Sequence, residues 1–477
     1  MSEYEMTSLD WLDNHLDLFI PPLDEALFDH KLLQRTGELA ILYRALYKSG
    51  LGSIDMLQRW KTHFTAYIES EELAETARKN LGSAWAWLMP YFIFKDIHGI
   101  TIETHEKTME FVKESGFPNV SEVVPYRNMD RHYFLAMNYC SVFDAENLIE
   151  NTSLSSCLNL LTINRETAYS ITHSFFYVSD FGLKTLKLNH NSNQKCVAII
   201  ESLLAESARN ADWDLLGEMI ILGICTEGVE PELLSAYLTL FKKQQNPLGF
   251  FPPSAATNAV LTADMERDKI FDACYHTTLV SALVDVSYFI QEKESIVTFN
   301  VQKLSCLDEN KLLVMLVSAR NNAVEYLNAT SASGASVVPI EWPATSLHSN
   351  ESSVDYLSGV LDTREVLLPK LGYESTISLQ ISRQACSLAE CFARSGDIEL
   401  VLKLIGTCLG STHLSPRWAA ILSFVLQTQK PDGSIGYFLQ EARKLKADNL
   451  LAIRIGLTDT FVQALDMWLD KKLNQVA

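Results

Sequence analysis

A glycine turn between helices occurs twice in this chain, and the second copy limits the fold more than any other feature. The first copy runs from Gln245 to Leu283: QNPLGFF, a loop, then YHTTLVSAL. The second runs from Gln429 to Leu465: QKPDGSIGYF, a charged connector, then TDTFVQAL. Gly249 and Gly433 are 184 residues apart, and Thr278, Val280, Ala282 and Leu283 pair with Thr460, Val462, Ala464 and Leu465 at an offset of 182. Upstream, ADWDLL at 211–216 matches GDIELV at 396–401, and AYLTLFKKQQNPLG at 236–249 matches AILSFVLQTQKPDG at 420–433. A near-constant offset over several helices implies two similar helical halves. Because an αα-hairpin buries only one side, such hairpins must stack or close on one another.

The remaining chain has the same texture. Leu9, Leu12, Leu16 and Phe19 recur at helical spacing before Pro21-Pro22. Helices are predicted over 32–47, 54–68, 73–94, 103–114, 129–139, 165–186, 197–209, 212–225, 231–245 and 270–290, with a polar turn over 189–193. Beyond these, helices are predicted over 312–327, 377–394, 398–409, 416–429 and 450–469. No set of period-2 strands with regular turn spacing emerges. The expected fold is all-α, an array of αα-hairpins. A closed α/α toroid is the first choice and an open α-solenoid the alternative. The expected organisation is an N-terminal helical segment over 1–125, a first half over 126–300 and a second half over 301–477. Ala329 to Ser353, rich in Ser, Ala, Pro and Asn, is expected to be a long loop flanking the opening of the array.

Composition narrows the function classes. With 477 residues, 47% hydrophobic and 21% charged, the chain can bury a large core. A formal net charge of −20 disfavours nucleic acid and anionic membrane as partners, since both need basic surface. No uninterrupted apolar run of about 20 residues is present, so no spanning helix is expected. The acidic start, MSEYEMTSLDWLD, has no basic n-region followed by an apolar h-region, so a secretory signal is not expected there. Nine dispersed cysteines with no C-x-x-C suit reduced thiols and a cytoplasmic location.

The run from Gln429 to Gly436, Q-x-P-D-G-S-x-G, resembles the Q-x-x-D-G-S repeat of terpene cyclases. Tyr275-His276-Thr277 resembles the Y-H-T segment of protein prenyltransferase β subunits, in which the histidine is a zinc ligand. Both families are α/α toroids, so the resemblance implies that fold. The acid motif D-x-D-D and the diphosphate motif D-D-x-x-D are absent, and Asp272-Ala-Cys274 abuts His276 instead of lying on another helix. A broader resemblance rests on WLDNHLDLFIPPL, SITHSFFYVSDFG and YHTTLVSAL. The chain is similar to an uncharacterised bacterial helical family associated mainly with actinobacterial biosynthetic gene clusters. That implies a setting, tailoring of a specialised metabolite or peptide, and no assigned activity.

Five ionisable residues are candidates for chemistry. His173 and Asp180, seven apart on one predicted helix, fall within 20° of the same face at 100° per residue, among Tyr169, Phe176 and Tyr177. Asp214 and Glu218 are i, i+4 neighbours on a Leu-, Met- and Ile-rich helix; buried together, they need a shared proton, a cation or a metal. His276 lies on an otherwise apolar helix. Each has a plain alternative. A histidine on an apolar face is often a hydrogen-bonded core residue, an aromatic stripe is often core, and Asp212 and Asp397 read as helix N-caps. The duplication separates the two classes. Framework residues recur, whereas in this alignment Glu218 meets Lys403 and His276 meets Thr458. The expected function is an enzyme acting on a small molecule or peptide in a central cavity lined by these five residues, with cyclase- or transferase-like chemistry as the class the resemblances imply. No cofactor can be named; a divalent metal is possible. The alternative is a non-catalytic helical scaffold for a peptide or partner protein. Oligomeric state is not readable.

Overall fold

A computed structural model describes residues 6–20, 29–116, 122–156, 159–186, 188, 190–261, 265–290, 309–332, 376–408, 416–438 and 447–476. The fold is all-α. Among the described residues there is no β-strand, only three isolated bridges: Leu186 with Thr226, Asp212 with Ser254, and Gln429 with Ile435. No described helix is long and apolar enough to cross a membrane. Cys140, Cys196, Cys225, Cys274, Cys386 and Cys391 are free thiols. The predicted lid lies mostly outside the described residues; Ala329–Ala332 close the helix Glu309–Ala332.

The chain forms two compact units. The first comprises 1–156, 165–200 and 211–302; the second comprises 157–164, 201–210 and 303–477. In the first unit the helix ends follow local chemistry. Ser53, Ser70 and Asp212 cap the helices Ile54–Ile68, Glu71–Lys79 and Trp213–Cys225 with a side-chain oxygen. Pro231 starts Pro231–Lys242 in the first turn, where its missing N–H costs nothing.

Three expectations need correction. The helix expected over 73–94 is broken into Glu71–Lys79, a 3₁₀ turn Leu81–Ser83, Ala84–Trp87 and Met89–His98. Asn80 leaves the helical region, and Pro90, lacking an N–H, sits in the first turn of the last piece. The polar stretch over 189–193 is not a turn throughout: a helix runs His190–Arg209, and Asn193 reaches the Glu227 carbonyl at 2.6 Å. The helix expected over 165–186 stops at Val178. Asp180, Phe181 and Gly182 follow in left-handed backbone, with φ of 54°, 56° and 85°. A Cβ on Gly182 would lie 2.0 Å from Ser287 Oγ, so the chain reverses against the helix Arg267–Phe289 at a point only glycine fits.

The duplication is visible bond by bond within each unit. Gln245 Nε2 donates to the Gly249 carbonyl (3.1 Å) and to the Met6 carbonyl (3.3 Å). Gln429 Nε2 donates to the Gly433 carbonyl (2.9 Å) and to the Ala319 carbonyl (2.8 Å). Both glycines are left-handed, at φ 96° and 87°, and each lies against the backbone of a preceding element: Gly249 against Thr7, Gly433 against Asn322. In the first unit the Phe251 N–H donates to Thr278 Oγ1 (3.0 Å); in the second the Ile435 N–H donates to Thr458 Oγ1 (2.9 Å). Thr278 therefore corresponds to Thr458, not Thr460, an offset of 180, and His276 corresponds to Gly456. The connector between turn and helix differs in length between the copies, which an ungapped match of similar letters does not register.

In the second unit, Thr376–Arg394, Ile398–Cys408, Pro416–Leu426 and Ala447–Val476 pack around a core that includes Phe392, Ile398, Trp418 and Phe461. Asp397 caps its helix through the Leu400 N–H (3.3 Å), as Asp212 does through Leu215.

Candidate functional site

The centre is built on two helices that glycine allows to approach closely. Asp214 and Glu218 are one turn apart on Trp213–Cys225, and Gly217 lies between them. A Cβ on Gly217 would meet Val280 Cγ1 at 2.7 Å and Phe241 Cζ at 3.0 Å. With only hydrogen there, Arg267–Phe289 packs along Trp213–Cys225 and brings His276 to both carboxylates. The helix His30–Ser49 packs on Arg267–Phe289 as well and supplies Glu38.

His276 Nδ1 is 3.0 Å from Glu38 Oε2. A carboxylate only accepts, so in neutral His276 the Nδ1 carries the proton and donates it to Glu38. Gln34 Nε2 donates to the other Glu38 oxygen at 3.0 Å. On the far side of the imidazole, Nε2 stands 3.5 Å from Glu218 Oε1 and 3.7 Å from Asp214 Oδ1. Asp214 is held from both sides: Thr277 Oγ1 donates to Oδ1 (2.7 Å) and the Tyr169 hydroxyl to Oδ2 (2.8 Å). Glu218 is not held: its side chain is 1% exposed, and Oε2 is buried with no hydrogen-bond partner.

Three carboxylates thus converge on one imidazole. Burial opposes the charged form of His276, yet Asp214, Glu38 and Glu218 outweigh it and hold the imidazolium well above its ordinary range. Burial, then the negative charge of Asp214 and Glu218, pushes the Tyr169 hydroxyl up, so it stays a neutral donor. Four other buried acids are compensated by arginine. Asp180 pairs with Arg44, Asp130 with Arg127, Glu390 with Arg417, and Glu201 with Arg383 and Arg417. Among the described residues, neither Asp214 nor Glu218 forms an ion pair with a lysine or arginine.

The five candidates do not form one group. Asp214, Glu218 and His276 come together; His173 and Asp180 do not join them. Asp180 belongs to an ion network: Arg44 reaches it at 2.5 Å, Lys184 at 3.8 Å, and the Tyr133 hydroxyl donates to it. Burial opposes its charge, but Arg44 dominates and holds the carboxyl below its usual value. It borders a cavity of about 870 Å³ lined also by Arg44, Lys95, Tyr133 and Tyr177, and none of Asp214, Glu218 or His276 lines it. The shared face computed for His173 and Asp180 fails because the helix ends between them. His173 donates Nδ1–H to the Tyr169 carbonyl (2.8 Å) and packs beside Tyr126, Tyr169 and Phe176. Asp272 and Cys274 also stay apart from the centre: Asp272 pairs with Lys31 at the surface, and burial pushes the Cys274 thiol up to about 12.

Residues 6–286 match the family described as Domain of unknown function (DUF6895), over more than half of the chain. The chain belongs to that family. No curated protein and no solved structure matches it. The matched region of this DUF6895 member contains Glu38, Tyr169, Asp214, Glu218, His276 and Thr277. Sequence reasoning missed Glu38, which lies 238 residues from His276 on a separate amphipathic helix. Thr277 stood beside His276 in the Y-H-T string and could have been found there.

Proposed function

We propose that this DUF6895 protein is an enzyme whose acid–base chemistry runs at the Asp214–Glu218–His276 centre, acting on a small molecule or peptide. The observation that carries this reading is Glu218: fully buried, one oxygen bare, beside a second carboxylate and with no ion pair to a described lysine or arginine. A buried carboxylate is retained against several kcal/mol of desolvation only when a proton, a cation or a ligand compensates it, and such groups cluster at functional sites. His276, with about a third of its side chain exposed, is the member that solvent and substrate reach. Glu38 orients its ring as the acid orients histidine in a catalytic triad, and the two carboxylates behind it stabilise positive charge as a proton moves. A scaffold that only docks a partner has no use for this group. The setting implied by the sequence resemblance, tailoring of a specialised metabolite or peptide, belongs to the same proposal.

The test is untargeted mass spectrometry. Purified protein is incubated with small-molecule and peptide extract from its host carrying a deletion of the gene. Wild type consumes a component, whereas His276→Ala and Glu218→Gln, shown folded by circular dichroism, do so about 10²–10⁴-fold more slowly. Consumption at the wild-type rate by either variant refutes the reading.

A further inference from the structure

We infer that Asp214, Glu218 and His276 form a binding site for one divalent transition-metal ion, held in place by Glu38, Tyr169 and Thr277. The inference builds on the enzyme reading of the same centre and names the ligand it takes.

Spacing is the first argument. His276 Nε2 lies 3.5 Å from Glu218 Oε1 and 3.7 Å from Asp214 Oδ1, and the three ligand atoms all fall within 4.8 Å of one another. Those separations are long for a hydrogen bond between nitrogen and carboxylate, which is typically about 2.7–3.2 Å. They are close to what a shared ion requires: ligand bonds of about 2.1 Å in tetrahedral geometry place neighbouring donor atoms roughly 3.4 Å apart.

The ring orientation is the second argument. The Nδ1–H to Glu38 directs the Nε2 lone pair of the neutral imidazole at both carboxylates. Metal-bound histidines are commonly fixed by a carboxylate on the opposite nitrogen in this way. Asp214 has the same kind of support from Thr277 and Tyr169.

The third argument is independent of spacing. Glu218 is 1% exposed, and its Oε2 lacks any partner. A divalent ion on Oε1 supplies, in place of the His276 Nε2 proton, the positive charge that no described lysine or arginine brings. One imidazole and two carboxylates suit Zn²⁺, Mn²⁺ or Fe²⁺ better than soft ions that prefer thiolates. Three protein ligands leave a position for water, and a bound divalent ion would acidify that water toward neutral pH, so in the metal-loaded centre the water, and not His276, would be the acid–base group.

The experiment uses the full chain, stripped with EDTA and titrated calorimetrically with Zn²⁺ and, separately, with Mn²⁺. Wild type is expected to take up one equivalent of at least one ion. Glu218→Gln and His276→Ala are expected to lose that binding while retaining the wild-type circular dichroism spectrum. Glu38→Gln, which leaves all three ligands in place, should weaken binding by about 10–100-fold; it also keeps the proposal testable if a ligand variant fails to fold. Absence of binding by folded wild type overturns the inference, as does unchanged affinity in Glu218→Gln or His276→Ala. The enzyme reading fails separately: turnover that survives EDTA in a protein binding neither ion removes the metal and leaves the enzyme. Stoichiometric binding without any consumed substrate does the reverse.

Discussion

Gly217→Ala tests whether close helix approach assembles the centre. On an isolated helix the substitution would stabilise by about 1 kcal/mol, because alanine loses less backbone entropy than glycine. Here the new methyl would lie 2.7 Å from Val280 Cγ1 and 3.0 Å from Phe241 Cζ. Val280 is 4% exposed and Phe241 fully buried, so neither can swing into solvent. Overpacking of this kind costs about 1–3 kcal/mol, which cancels the helix gain and leaves a net destabilisation of up to about 2 kcal/mol. Hydrogen-exchange mass spectrometry of the 213–225 segment reads the effect locally, as faster amide exchange. Val280→Ala makes the needed room. In the double variant the two changes should compensate each other, with a coupling of about 0.5–3 kcal/mol. The helices also carry Asp214, Glu218 and His276, so metal affinity should fall in Gly217→Ala and recover in the double variant. Slower exchange in Gly217→Ala, or strictly additive effects in the cycle, would refute the reasoning.

Four further outcomes follow from single bonds. Thr278→Ala leaves the buried Phe251 N–H without its acceptor and should cost about 1–3 kcal/mol. Thr458→Ala should do the same to Ile435 in the second unit, and calorimetric melts of both variants check the pair. Gly433→Ala should be worse than either. Its φ of 87° disfavours any side chain by about 1–2 kcal/mol, and its Cβ would sit 2.2 Å from the Asn322 carbonyl oxygen, so the expected result is a lower melting temperature than Thr458→Ala. Asp180 has a folded pKa below its unfolded value. Its contribution is therefore complete above the ordinary carboxylate range near about 4 and is lost as pH falls through the lower folded value. Asp180→Asn should be less stable than wild type at pH 7, with the gap narrowing at acid pH; a gap that stays constant from pH 7 to pH 2 would contradict the Arg44 pairing.

Much of the architecture could be read from the residues because it rests on local chemistry that leaves a trace in letters. Glycines with positive φ, capping aspartates and a proline in a first turn are each dictated within a few residues of chain. The errors fall where local and tertiary forces compete. Phe181 enters a left-handed conformation that its own side chain opposes, and Gly182 then packs against Ser287; no periodicity reveals that the helix stops at Val178. The shared face expected of His173 and Asp180 therefore does not exist. Asp214 and Glu218 were legible because i, i+4 geometry is a property of one helix. The distance from Glu218 to His276 is a property of two helices, and Glu38 comes from a third. The only hint of their meeting was that Glu218 and His276 do not recur in the second copy.

That asymmetry allows one more prediction to be argued from the duplicated framework. The second unit keeps the glycine turn, the glutamine that braces it and the threonine that caps it. It also keeps an acid at the position of Asp214, where Glu399 is buried at 5% exposure. At the position of Glu218 it has Lys403, and at that of His276 it has Gly456. Neither a lysine nor a glycine offers the carboxylate or imidazole ligand that stands at these positions in the first unit. The two units thus share backbone chemistry and differ in the residues that could hold an ion. A site that served only to stabilise the hairpin would be expected in both copies, because both copies have the same hairpin to stabilise. The metal content should accordingly be one ion per chain, not two, by inductively coupled plasma mass spectrometry of protein reloaded from the EDTA-stripped form. Replacing Glu399 with Gln should leave that number unchanged, whereas replacing Asp214 with Asn should bring it to zero. Two ions per chain, with one lost on Glu399→Gln, would show that the second unit binds metal by ligands of its own, and the argument from asymmetry would fall.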